Sequence, residues 1–199
     1  MDLARALLMA LLLVGLPALA QDDEDEAVDV DPIALAEMLV ADGFPDRAMK
    51  ELEKVDLEGK KVDKAMYYYV KGMALADLGE RGQAAVAYEA AIAEGYPDVW
   101  IHLRLAQLRL ALEEYDRALE TLDKAPADTR REPVWWMLQA RSYRGLKQPA
   151  FAYSVLVQGQ QAFPDEIRFD REALFLLIEL ELYIEARDVG RRYLTKEAG

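Results

Sequence analysis

Alanine returns at a fixed interval along this chain. Ala48, Ala84, Ala118, Ala152 and Ala186 stand 36, 34, 34 and 34 residues apart. Twelve residues before each lie Ala36, Gly72, Ala106, Ala140 and Leu174; four after each lie Leu52, Tyr88, Leu122, Leu156 and Gly190. The earlier position is small and the later one large in the first four units, and the fifth departs at both. A period held over this many units is the signature of a stacked repeat, in which each unit buries its apolar face against its neighbours.

Each period carries two helical patterns. In the fourth, Trp136, Ala140 and Tyr143 recur at helical spacing, and Ala152 and Leu156 resume the pattern after GLKQP. Pro149 suits the first turn of a helix, and the stretch from Gly145 to Gln148 ends the helix before it. Gly79 with Gly82, and Gly43 with Pro45, punctuate the second and first units in the same way, while Pro97, Pro126 and Pro164 close second helices. Antiparallel helices approach closely where the facing side chains are short. Ala140 and Ala152 are therefore expected contact points, with Trp136, Tyr143 and Leu156 filling the space around them. The expected fold is an all-α solenoid of about five helix-turn-helix units, near residues 29–62, 65–98, 99–132, 133–166 and 167–199, within a repeat domain from 32 to 199.

These residues resemble the pattern of the tetratricopeptide repeat family. The second unit carries it at Tyr68, Gly72, Gly79, Ala84, Tyr88 and Ala91. The third does so at Leu105, Ala106, Tyr115, Ala118, Leu122 and Ala125, and the fourth at Trp136, Ala140, Tyr143, Ala152, Leu156 and Pro164. The resemblance spans Asp31 to Leu194; the first unit lacks the aromatics, and the fifth has Leu174 for the small residue and Gly190 for the bulky one. It implies a right-handed superhelix of antiparallel helix pairs, without catalytic residues or cofactors, that takes a peptide or protein surface in the groove lined by the first helix of each unit. Carried onto this sequence, the groove positions include Tyr69, Met73, Trp100, Leu103, Gln107 and Met137, then Arg141, Arg144, Arg168 and Arg171. Methionines and aromatics suit an irregular apolar partner. Clustered guanidinium groups suit an acidic segment.

Composition narrows the chemistry further. No cysteine is present, which excludes disulfide scaffolds, thiolate metal sites and cysteine nucleophiles. The single histidine, His102, lies on the packing stripe of the third unit and reads as a core residue. A net charge of −13 opposes nucleic-acid binding, which needs cations to neutralise phosphates. No calcium loop or phosphate loop occurs, and Gly79 to Gly82 is a turn between helices. No metal, cofactor or enzymatic activity is expected.

The first 20 residues read as a secretory signal. An apolar run from Ala6 to Leu16 precedes an Ala18-Leu19-Ala20 cleavage site before Gln21. That places the mature chain in the periplasm or cell envelope of a bacterium, without stable membrane insertion. The alternative is an uncleaved anchor, since Asp2 offsets Arg5. Seven of the eleven residues from Gln21 to Asp31 are acidic, a composition that favours a disordered leader. The expected function is a non-catalytic scaffold that binds a protein or peptide. The alternatives are a subunit that self-assembles through its divergent fifth unit, rich in apolar residues from Leu174 to Ile178, and a component of an envelope secretion, motility or outer-membrane assembly complex.

Overall fold

In each unit the chain reverses direction by the same hydrogen-bonded turn. The computed structural model describes residues 30–197; the apolar segment 1–20 and residues 21–29 of the acidic leader lie outside the described residues. Five helix pairs follow one another: α1 (Pro32–Ala41) with α2 (Pro45–Leu52), α3 (Lys64–Asp77) with α4 (Arg81–Ala93), α5 (Trp100–Ala111) with α6 (Tyr115–Lys124), α7 (Pro133–Gly145) with α8 (Pro149–Ala162), and α9 (Ile167–Glu179) with α10 (Tyr183–Glu197). A short 3₁₀ turn, Ala127–Arg131, precedes α7. No strand occurs among the described residues.

The turn inside each pair is a Schellman motif repeated in register. The amides of Phe44, Glu80, Glu114, Gln148 and Leu182 donate to the carbonyls of Leu39, Leu75, Arg109, Tyr143 and Leu177 at 2.8–2.9 Å. The residue before each amide has positive φ: Gly43, Gly79, Glu113, Lys147 and Glu181, at 79°, 80°, 60°, 60° and 61°. Glycine takes this conformation freely in the first two units, whereas a side chain is strained there in the last three. Proline stands at the start of α1, α2, α7 and α8, where its missing N–H removes no helical bond. Asp31 and Asp63 cap α1 and α3 by accepting from the amides of Ile33 and Met66 at 3.1 and 2.9 Å.

All five repeat alanines are buried, four of them completely and Ala186 at 5% exposure. The pairing of small and large positions also has a direct cause. A Cβ placed on Gly72 would lie 2.5 Å from the ring of Tyr88, so these two positions face each other across the helix pair. In the fifth unit a Cβ on Gly190 would lie 3.7 Å from Leu174. The apparent departure of that unit is an exchange of sizes between two touching positions: Leu174 fills the space that Gly190 leaves. Volume-conserving exchanges of this kind preserve packing.

Consecutive units are tied by buried polar groups. Arg109 on α5, 8% exposed, donates to Glu89 on α4 and, at 2.8 Å, to the carbonyl of Arg117 on α6. Asp170 on α9 is fully buried and accepts from Arg192 and Lys196 on α10 at 2.6 and 2.7 Å and from Gln160 on α8. Burial acts to raise the Asp170 carboxyl, but the hydrogen bonds from Lys196 and Arg192 outweigh it and hold the group below its ordinary value. The first helices neighbour one another, α1 against α3 and α5 against α7. No helix among the described residues is long and apolar enough to cross a membrane.

Candidate functional site

The ten residues singled out from the sequence fall into three groups. Tyr69, Leu103 and Met137 are buried, at 7%, 3% and 5% exposure. Tyr69 stacks on Tyr96, ring centroids 4.1 Å apart. Leu103 packs with Leu122 and Trp135, and Met137 belongs to the cluster around Phe169 and Leu176. Leu103 and Met137 pack on the first helix of the following unit and Tyr69 on the aromatic rings of its own unit, so these side chains are not offered to a partner. The helical pattern places them beside the groove but cannot register the contacts that cover them. Met73 is half-buried, whereas Trp100 and Gln107 are exposed.

The four arginines are exposed, and each stands beside a carboxylate. Arg141 donates to Glu172 at 2.9 Å and Arg144 to Glu179 at 3.0 Å, both from α7 to α9. Arg168 donates twice to Glu166, at 2.8 and 2.5 Å, and Arg171 lies 4.0 Å from Glu172. The hydrogen bonds from Arg168 lower the Glu166 carboxyl, which also accepts the Arg168 amide at the start of α9. The cluster read as suited to an acidic partner thus also faces carboxylates of this chain. Arg168 closes on its own helix start, and Arg141 and Arg144 join two units.

Arg141 and Arg144 nevertheless wall a cavity of about 480 Å³ between α5 and α7. Gln107, Leu110 and Ala111 form its α5 side, Tyr115 and Leu138 add apolar surface, and Lys147 joins the two arginines. A guanidinium has five N–H donors, and each arginine gives one to its glutamate. The rest of each group is available to an acceptor in the cavity. Three cations and no carboxylate line this space.

Two other cavities mix the two signs of charge. One of about 600 Å³, beside the connection from α2 to α3, mixes Lys54, Lys60 and Lys61 with Glu37, Asp56 and Asp63. Another, of about 350 Å³, sets Arg109, Arg117 and Lys124 against Glu89 and Glu120. His102 also lines the latter; it is half-buried, and burial lowers its pKa.

Local sequence explains how the cavity is built. Gly145 ends α7 against the ring of Tyr115, where a Cβ would stand 2.3 Å from the ring carbons. Glycine is needed there to let α6 approach, a reason distinct from ending the helix. Lys147 occupies the positive-φ position of the turn. Neither Tyr115 nor Lys147 was expected at the site. Tyr115 begins a second helix, and Lys147 lies within the turn, so groove positions counted along first helices pass over both. Among the described residues no group of His, Asp and Glu is arranged to hold a metal ion.

Comparison with known proteins agrees with this architecture. The tetratricopeptide repeat model matches residues 75–142. No curated protein matches the chain. Among solved structures, MamA from Desulfovibrio magneticus RS-1, from position 41 to its end, aligns with a TM-score of 0.73 at 19% identity. The alignment covers 85% of this chain and 97% of that one. A further crystal structure of MamA gives 0.72 at 16% identity, over 82% and 95%. YrrB, described as a TPR protein with an unusual peptide-binding site, gives 0.65 at 19% identity, over 83% and 82%. At these identities the likeness establishes the fold.

Proposed function

We propose that this chain, which has the fold of tetratricopeptide-repeat structures and matches that family's model over residues 75–142, is a non-catalytic interaction scaffold of the bacterial cell envelope that captures an acidic segment of a partner protein between α5 and α7. The observation that carries this reading is the 480 Å³ cavity lined by Arg141, Arg144 and Lys147 with no acidic wall residue. Partner carboxylates would engage the donors that Glu172 and Glu179 leave free. Apolar partner groups would rest on Leu110 and on Trp100, which is 43% exposed, with Gln107 between them on α5. Exposed aromatic surface of this kind favours contact. The envelope assignment rests on the apolar run and small-residue cleavage site of residues 1–20.

The test is affinity capture from the envelope fraction of the source bacterium. The chain from Gln21 onward is compared with its R141E/R144E/K147E variant. A partner with an acidic segment should be retained by the first and lost by the second, with apparent affinity lowered at least tenfold, roughly the worth of one charge-assisted hydrogen bond. Equal retention by both proteins would remove the site from this cavity.

A further inference from the structure

The fifth unit carries apolar residues at positions where the fourth uses polar ones to bind its successor. Arg141 bonds Glu172, Arg144 bonds Glu179, and Gln160 bonds Asp170, all from the fourth unit to the fifth. One period later, the equivalents of Arg141, Arg144 and Gln160 are Phe175, Ile178 and Leu194. They are 53%, 48% and 63% exposed. Tyr183, two periods after the Tyr115 that packs on Gly145 of the next unit, is 65% exposed. Stacked repeats normally end on a polar outer face. At these four positions the end face is instead apolar, although Arg171 and Glu197 stand on it where the fourth unit has Met137 and Phe163, and no described element covers it.

The opposite end of the array matches it at the three polar-pair positions. Moving Glu172, Glu179 and Asp170 back through the register to the first unit gives Ala34, Ala41 and Pro32. Ala41 is also the equivalent of Gly145, the small residue on which Tyr115 rests. Ala34 and Ala41 are exposed. Met38 is 63% exposed, whereas its equivalents Ala74, Ser142 and Leu176 are buried and Leu108 is half-buried. Where the fourth and fifth units meet through polar pairs, the two ends of the array therefore offer apolar pairs: Phe175 with Ala34, Ile178 with Ala41, and Leu194 with Pro32.

We propose that the occupant of this end face is a second copy of the chain, whose first unit stacks on α9 and α10 as a sixth unit would. The contact is head to tail and uses two different surfaces. It leaves a free end at each side, so association continues beyond a dimer. The cavity between α5 and α7 is not part of either surface, and the inference does not depend on the groove reading.

The test uses the chain from Gln21 onward, which retains the whole compact unit from Asp31. Sedimentation and light scattering across a concentration series should show mass rising past the dimer. A tail variant, F175E/I178E, and a head variant, A34E/A41E, alter exposed side chains, and circular dichroism checks that each keeps its helices. Each variant alone should remain monomeric, with association weakened at least tenfold, roughly the effect of disrupting an interface hot spot. Mixed together, they retain one intact tail and one intact head, and should form one-to-one dimers and nothing larger. A wild-type chain that stays monomeric at all concentrations would overturn the proposal. So would assembly that stops at a symmetric dimer, or a mixture of the two variants that fails to pair.

Discussion

Substituting Gly72 by alanine tests the packing rule on which the solenoid is built. The new Cβ would lie 2.5 and 2.6 Å from two ring carbons of Tyr88. Tyr88 is 2% exposed, lies 6.0 Å from the Tyr69 ring, and has its phenol pushed up to about 12 by burial. The ring has little room to withdraw. Overpacking of this kind costs about 1–3 kcal/mol, and a contact this short against a rigid ring belongs near the upper end. Alanine regains about 1 kcal/mol over glycine inside a helix, leaving a net loss of about 2 kcal/mol. For a chain of this size that lowers Tm by roughly 4–8 °C.

The double variant G72A/Y88L recreates the alanine–leucine pair found at Ala36 with Leu52, Ala106 with Leu122 and Ala140 with Leu156. It should be more stable than G72A, with a favourable coupling of about 1–2 kcal/mol between the two sites. Urea titration followed by circular dichroism on all four proteins measures this directly. If the double variant loses the sum of the two single losses, the small–large pairing does not govern the packing and the reasoning fails.

Other outcomes are expected from the same geometry. D170N should destabilise the last helix pair by about 2–3 kcal/mol, less than a wholly buried ion pair because Arg192 is half exposed, and should speed amide exchange in α10 before that in α4. The Asp170 carboxyl is depressed in the folded protein relative to about 3.9 in the unfolded chain. Its contribution to stability is therefore complete above about pH 4 and is lost as the pH falls through the folded value; an acid titration of α10 protection should show this loss in the wild type and not in D170N. E113G and E181G should each raise stability by about 0.5–1 kcal/mol in urea titrations, since glycine relieves the positive φ at these turns while adding some unfolded-state entropy. G145A should lower thermal stability by about 1–3 kcal/mol and weaken partner capture, because Tyr115 would have to leave its place against α7.

Much of the fold was legible because its signals are local and periodic. The alanine register marks the helix-pair contact, and proline and glycine mark the ends of helices, each through constraints that act within a few residues. Ala48 to Ala186 and the turns at Gly43 and Gly79 are of this kind. The turns at Glu113, Lys147 and Glu181 were less visible, since no residue there favours a positive φ; the Schellman bonds impose it. Of the candidate site, Trp100, Gln107, Arg141 and Arg144 were reached by counting along first helices. Tyr115 and Lys147 lie outside that count.

The sequence by itself determined that the chain is a helical repeat array, because a period sets which side chains recur on one face whatever the surrounding units do. Tertiary structure alone decided which of those faces remained open. Tyr69, Leu103 and Met137 share the spacing of groove residues, yet neighbouring helices bury them. Arg141 and Arg144 read as suited to a partner's carboxylates, and in the fold Glu172 and Glu179 reach them from 31 and 35 residues away. Leu174 and Gly190 read as two defects, yet each fills or yields the space of the other. In each case the deciding contact joins residues far apart in the chain, and only folding brings them within reach.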